Sequence, residues 1–514
     1  MTGESSTIDN EDSGGTSAAT SNLASAMKSA GIEIDSTFAL ETRLLAESFS
    51  SSSIAKDSDC DIPKGCVFSP DGTCLLTARA NKLELYNTPY DDAENDESSE
   101  AATNRWEPAL TCNGGETVRS YAWYPHMKSS DPATCCFLGV SRDSPVHLYD
   151  AYDGSVRATY RPYNGLDEME SPTTMKFVEN GQKLVTGGLR TDRILHVFDI
   201  NRPGRDHLTK LRLGKTRRSK DGQKGLVSAM AYSEHKGVIA VGSYSPGSIY
   251  LYDLRTFTKS GVAEIVASSS ASTSSGGIVC LSGHGKKNRK NKRKRFATTE
   301  VEEDENLVDE PAMNFSAAKL QWYQSRTRGG VTQVEFEDES SNGGNYLFST
   351  SRRSNSILQW DLRKLSSSNF CPGIASFETN NETNQRIEFQ VRGDQLWTGG
   401  TDGCVRVYSH KRQSKDHLLA KLTGFKDCVN GISLHPDAQL DFETNNNEAQ
   451  PESGAGTPLC SSDKSAKGLL SVALGRRHFP SENDWEDDDP HTTLITRTKH
   501  LAGSIQIHSL AISQ

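Results

Sequence analysis

Thr174-Met175-Lys176-Phe177, Lys183-Leu184-Val185-Thr186-Gly187-Gly188 and Leu195-His196-Val197-Phe198-Asp199 follow one another closely. Each is a short run of aliphatic, β-branched and aromatic residues bounded by Gly, Asp or Asn, which reads as a strand between tight turns. The same three-part unit recurs from Gly65 to Tyr86, Tyr121 to Asp150, Ser228 to Asp253, Gln333 to Asp361 and Arg386 to Tyr408, and in spread-out form from Gly431 to His508. The aromatic-Asp endings at Asp150, Asp199, Asp253 and Asp361 are 49, 54 and 108 residues apart, the last being twice 54. With the low-complexity stretches set aside, seven units average about 49 residues, near the ~40–45 of a WD-type blade. The expected fold is therefore all-β, a seven-bladed WD-repeat β-propeller in which each four-stranded blade buries both faces against its neighbours. An open ring would expose strand edges, so a strand before Lys64 is predicted to pair with the last strands near Ile505–His508.

Composition marks what lies outside the blades. Of 514 residues 34% are hydrophobic and 24% charged. With Gly counted and Tyr left out the apolar share is about 39%, against about 45–50% for an ordinary globular chain. Residues 1–58, acidic and rich in Ser and Thr, bury too little apolar surface to offset chain entropy and read as a disordered tail. One short helix is expected there, with Ile34, Phe38, Leu45 and Phe49 on one face. The propeller is assigned to 59–514, with low-complexity insertions at about 90–104, 258–328 and 440–466. The N-terminal residues lack the pattern of a secretory signal, and no run of ~18 apolar residues suggests a membrane span. The eleven cysteines are scattered, which fits a reduced cytosolic or nuclear compartment.

Catalytic patterns are fragmentary. Gly214-Lys215-Thr216 resembles the end of a phosphate-binding loop, but the first glycine of that motif would fall at Thr209, and without it the backbone cannot curl around phosphates. The chain has no G-x-S-x-G elbow, H-E-x-x-H or paired Cys motif. The thirteen histidines are dispersed, and His196, inside a strand, reads as a core or edge imidazole. No enzyme, cofactor or metal is expected.

The charges say more. The net charge of −10 conceals a stretch, 201–230, with nine basic and two acidic residues, among them Arg217 and Arg218. In a propeller the turn between a blade's second and third strands opens on the face where the linkers enter the next blade. Those turns hold Arg79, Arg142, Arg190, Arg352 with Arg353, and Arg476 with Arg477, and the linker before the sixth unit ends in Arg386. An ordinary WD turn carries a bracing Asp there, as Asp402 does. An arginine-rich ring on one face suits phosphates and can stack on unpaired bases. The other reading is that each Arg braces its own blade or sits in solvent. Lys286, Lys287, Arg289, Lys290, Lys292, Arg293, Lys294 and Arg295 form a run that reads as a nuclear-import signal, a flexible RNA-contacting arm or a solvated loop. An acidic stretch, Glu300 to Glu310, follows it.

Several of these segments go beyond a generic propeller. Ser141-Arg142 with Pro145-Val146-His147-Leu148-Tyr149-Asp150-Ala151, Tyr163-Asn164-Gly165-Leu166-Asp167-Glu168, Arg202-Pro203-Gly204-Arg205-Asp206, Thr383-Asn384-Gln385-Arg386-Ile387, Cys428-Val429-Asn430-Gly431-Ile432-Ser433-Leu434-His435-Pro436 and Gly475-Arg476-Arg477-His478-Phe479-Pro480 resemble, in order, motifs of the telomerase Cajal body protein family. Gly283-His284 resembles the start of its fifth-blade Gly-His element, here split from Gly329-Gly330 by the charged insertion, which departs from the family pattern. The resemblance implies a non-enzymatic RNA-binding scaffold for a loop motif, the CAB box, of small Cajal body H/ACA-type RNAs and telomerase RNA. It also implies nuclear Cajal body localisation, associated ribonucleoprotein proteins as partners, support of telomerase assembly, and folding helped by the cytosolic chaperonin. Within it the expected RNA contacts are Arg142, Arg190, Arg217, Arg218, Arg386, Arg476 and Arg477, whereas Arg202 and Arg205 brace a linker or meet a protein partner. The competing reading is a protein-only propeller scaffold whose basic loops bind acidic peptides. Deleting 286–295 is expected to lower the nuclear fraction of the fluorescently tagged chain, and an unchanged distribution disposes of the import reading.

Overall fold

The structure is a computed structural model of the 514-residue chain. It describes residues 39–49, 62–89, 106–190, 193–213, 223–244, 247–254, 263–264, 277–278, 318–321, 330–338, 344–363, 371–411, 417–438, 440, 467–475 and 503–513.

Thirty strands form seven sheets among these residues. The first strand, β1 (Ala39–Phe49), stands apart from the blade that follows it. The first blade is β2 (Pro63–Phe68), β3 (Cys74–Arg79), β4 (Lys82–Asn87) and β5 (Leu110–Asn113). The second is β6 (Val118–Trp123), β7 (Cys136–Ser141), β8 (Val146–Asp150) and β9 (Val156–Tyr160), and the third β10 (Thr174–Val178), β11 (Lys183–Gly187), β12 (Ile194–Asp199) and β13 (Thr209–Arg212). The fourth runs β14 (Val227–Ser233), β15 (Val238–Ser243), β16 (Ser248–Asp253), with the short β17 (Ala263–Glu264) and β19 (Ala318–Gln321) both on the edge of β16. The short β18 (Gly277–Ile278) lies on the outer edge of the fifth blade, β20 (Val331–Phe336), β21 (Tyr346–Ser351), β22 (Ser356–Asp361) and β23 (Cys371–Glu378). The sixth is β24 (Phe389–Arg392), β25 (Gln395–Thr398), β26 (Val405–Ser409) and β27 (Leu418–Leu422). The seventh is β28 (Val429–Leu434), β29 (Lys467–Leu474) and β30 (Ser504–Ser513), completed by β1.

The seven-bladed propeller expected from the repeats is thus present, with three short strands inside an insertion that showed little strand pattern. The N-terminal reading is corrected: Ala39–Phe49 is a strand and not a helix, and the propeller takes it from the segment that composition assigned to the tail. Ile34 and Phe38 lie outside the described residues. The physical reason is that β1 is ordered by a distant partner: Ala39 pairs with Ser513 and Phe49 with Ser504. In such a pair the partner's ladder of N–H and C=O groups, and not local propensity, decides the conformation.

Packing explains why alternating runs suffice. Seven buried clusters each fill the space between two neighbouring blades, such as Leu76, Leu85, Trp123 and Phe137 between the first and second. Cys66, Phe68, Leu75 and Tyr86 meet Ala473, Ile505 and Ile507 between the first and seventh. Fully burying one such aliphatic or aromatic side chain contributes roughly 1.5–3 kcal/mol. The same interface depends on glycine: a Cβ on Gly431 would stand 2.4 Å from the Gly65 Cα. It also carries the Asn430 amide, which donates to the Pro63 and Gly475 carbonyls at 2.9 Å each.

Arg79 locks this closure. Its side chain is 1% exposed; Nε donates to Glu84 Oε2 at 3.0 Å, Nη1 to the Gly503 carbonyl at 3.0 Å and Nη2 to the Ser48 carbonyl at 3.4 Å. Three strands from both ends of the chain therefore meet on one guanidinium. Removing one partner of such a buried pair leaves the other charge uncompensated and costs about 3–5 kcal/mol. Arg79→Ala is accordingly expected to lower the denaturant midpoint and to speed proteolytic release of the N-terminal strand; a midpoint equal to wild type would show that Arg79 does not hold the ring shut.

Candidate functional site

The turns between second and third strands and the linkers entering the first strands share one face, fastened by backbone bonds. Val118 N–H donates to the Ala80 carbonyl at 2.9 Å, Arg142 N–H to Thr117 at 2.8 Å, Tyr244 N–H to Leu226 at 2.8 Å and Val429 N–H to Gly400 at 2.9 Å. Side chains on these turns therefore surround one mouth of the central channel.

Arg142 and Arg190 stand exposed there, and Arg142 pairs with Asp143 at 3.4 Å. Arg119, at the start of β6, donates to the Ser171 carbonyl at 3.1 Å. Burial lowers its affinity for its proton, Asp143 opposes that, and Arg142 and Arg190 lower it further. Like charges held within electrostatic reach of each other weaken one another's protonation and favour an anion between them. Further round the ring, the Arg352 guanidinium carbon lies 4.1 Å from the Tyr244 ring centroid and its Nη1 donates to Tyr244 Oη at 2.8 Å. Arg386 is half exposed and faces Glu388 at 3.4 Å.

Other arginines do structural jobs. Arg79, read from sequence as part of the ring, is the buried brace described above. Arg205 pairs with Asp167 and stacks on Tyr163, its carbon 4.2 Å from the ring centroid, so two of the resembling motifs meet each other. The Asn164 amide makes that loop rigid: its Oδ1 accepts from Leu166 and Glu168 N–H at 2.9 Å each. Arg202 is exposed beside it. Asp402 pairs with Arg406, the brace expected of a WD turn. Gln385 and Asn430, from two further motifs, both donate to the Gly475 carbonyl, at 3.1 and 2.9 Å. Arg217, Arg218, Arg476, Arg477, the basic run 286–295 and Gly283-His284 lie outside the described residues.

From the mouth a cavity of about 1190 Å³ runs along the axis, lined by Lys64, Arg119, Tyr121, Lys176, Arg353 and Arg386 among others. First strands of the first, second, third, sixth and seventh blades contribute to its wall. Lys176, Glu335 and Glu388 occupy one equivalent position, ahead of the aromatic in Met175-Lys176-Phe177, Val334-Glu335-Phe336 and Ile387-Glu388-Phe389. A charged residue directly ahead of an inner-strand aromatic was the signal for these groups. Arg119 and Tyr244 carried no such mark, because only the ring brings them beside Arg142 and Arg352.

Burial pushes the Glu335 carboxyl up to about 7, against the Val391 N–H, Lys176 and Gln333, which favour its charged form. Burial likewise lowers the proton affinity of Lys176, with Arg386 adding to it and Glu335 opposing it. A carboxyl whose folded pKa lies above its unfolded value of ~4.3 binds more protons when folded, so its contribution is present at acid pH and lost as pH rises through about 7. Glu335→Gln is expected to gain on wild type in denaturant midpoint between pH 5 and pH 8. A gap that stays constant over that window would mean that Glu335 titrates as an exposed carboxyl does.

No protein-family model matches the chain. It is 30% identical over 444 residues to Telomerase Cajal body protein 1 of Bos taurus, covering 84% of this chain and 66% of that protein. To the Homo sapiens protein of that name it is 29% identical over 459 residues, covering 86% and 63%. To the Drosophila melanogaster homolog it is 28% identical over 382 residues, covering 73% and 54%. The chain thus spans less than two thirds of the length of these relatives. With that likeness running through most of the propeller in mammals and an insect, the chain belongs to the telomerase Cajal body protein family.

Proposed function

We propose that this chain is a non-enzymatic RNA-binding scaffold whose arginine-bearing face takes the CAB-box loop of small nuclear H/ACA-type RNAs and of telomerase RNA. In this reading it directs those ribonucleoproteins to nuclear Cajal bodies and supports telomerase assembly. The observation that carries it is the convergence of Arg119, Arg142 and Arg190 at one mouth of the ring, where among the described residues three cations share the single carboxylate of Asp143 and favour a polyanion. Guanidinium groups bind phosphate in a planar, two-pronged way, and an unpaired loop exposes bases that stack on Arg and aromatic planes. The Arg352–Tyr244 stack on the same face offers such a plane. The names of the relatives carry telomerase and the Cajal body, and the RNA class is what the motif resemblance implies.

Arg142→Glu with Arg190→Glu is expected to lower affinity for an H/ACA-type loop RNA at least tenfold at ~0.15 M salt and to reduce the salt slope by about 2. Thermal unfolding should barely change, since both side chains are exposed. Undiminished affinity would place the RNA on another face. Crosslinking that recovers no H/ACA-type RNA from cells would leave the protein-only scaffold as the better reading.

A further inference from the structure

The channel interior holds charge that the rim does not account for. Lys64 is satisfied by the wall itself, donating to the Ala80 and Val118 carbonyls at 3.2 and 3.1 Å. At the far end Arg392 is likewise held by the His435 and Pro436 carbonyls. Lys176 differs: its side chain lines the lumen yet has no hydrogen bond or ion pair among the described residues. Glu335 and Glu234 act on it only at longer range, without an ion pair, and Glu388 faces Arg386 instead. Lys176 and Arg386 are thus two cations in electrostatic reach of each other across a confined lumen.

The walls also offer fixed aromatic surface. Tyr121 Oη donates to the Lys64 carbonyl at 3.3 Å, so its half-buried ring is held at the lumen, while Trp123 behind it belongs to the core between the first two blades. The volume, about 1190 Å³, is just above the ~300–1,000 Å³ of small-molecule sites. It admits a nucleotide-sized group with its water.

We propose that the lumen is a phosphate site in which Lys176 and Arg386 hold a compact phosphorylated ligand of nucleotide size, entered past Arg119 and Arg353. The ligand has two possible sources: an unpaired nucleotide of RNA bound at the mouth, which rests on the function proposed above, or a free nucleoside phosphate, which does not.

Calorimetry on the full chain with adenosine monophosphate, beside binding of an H/ACA-type loop RNA, separates the outcomes. Adenosine monophosphate is expected to bind wild type and the Arg142→Glu, Arg190→Glu variant alike, at least tenfold more weakly to Lys176→Gln, and normally to Lys176→Arg. An RNA affinity that also falls at least fivefold in Lys176→Gln assigns the ligand to the RNA, even should the free nucleotide bind too weakly to measure; unchanged RNA affinity beside a Lys176-dependent nucleotide assigns a free ligand. Nucleotide binding that is equal in wild type and Lys176→Gln overturns the proposal. So does an absent nucleotide signal together with RNA binding indifferent to Lys176. Loss of all RNA binding in wild type defeats the RNA reading alone and leaves the nucleotide arm to decide.

Discussion

The pairing of Ala39–Phe49 with Ser504–Ser513 is the constraint on which the rest depends. Within each of the first six blades the inner and middle strands are consecutive in sequence and form local hairpins. The seventh lacks its outer strand until the other end of the chain supplies it. Unpaired, β30 would present an exposed ladder of backbone groups, and the interface of Phe68, Leu75 and Tyr86 with Ile505 and Ile507 would lose its outer support. The closed ring, in turn, is what brings linkers from distant parts of the chain round one mouth.

Arginine serves that ring in two ways, separated by burial and partner. Where the guanidinium finds a buried carboxylate and carbonyls, as Arg79 does with Glu84, Gly503 and Ser48, it holds strands together. Arg205 on Tyr163 and Asp167 and Arg406 on Asp402 tie loops in the same manner. Arg142, beside the exposed Asp143, and Arg190 instead stand exposed on the rim. A turn position alone does not separate the two, since Arg79 and Arg142 occupy equivalent turns.

The resembling motifs turn out to have structural work close to the mouth. Asn430 and Gln385 converge on the Gly475 carbonyl, and the Glu388 N–H donates to the Asn430 carbonyl at 2.9 Å. Their side chains set the backbone from which Arg386 projects, so a change at Asn430 acts on the site through position and not through contact. Asn164 does the same for the loop carrying Asp167.

Repeat spacing, strand texture and turn residues were enough to read seven blades and their order, because each unit is built from local hairpins whose patterning is written in consecutive residues. The charged residue just ahead of an inner-strand aromatic was visible at Lys176, Glu335 and Glu388, though its meaning was not. The need to close the ring predicted a strand before Lys64 paired near Ile505–His508, but tertiary structure alone decided that Ala39–Phe49 is that strand, since its partner lies more than four hundred residues away. It alone decided that Arg79 is buried while Arg142 is exposed, and that Arg119 joins Arg142 and Arg190. Those outcomes depend on which groups the closed ring places side by side, and proximity between blades leaves no periodic trace in a sequence.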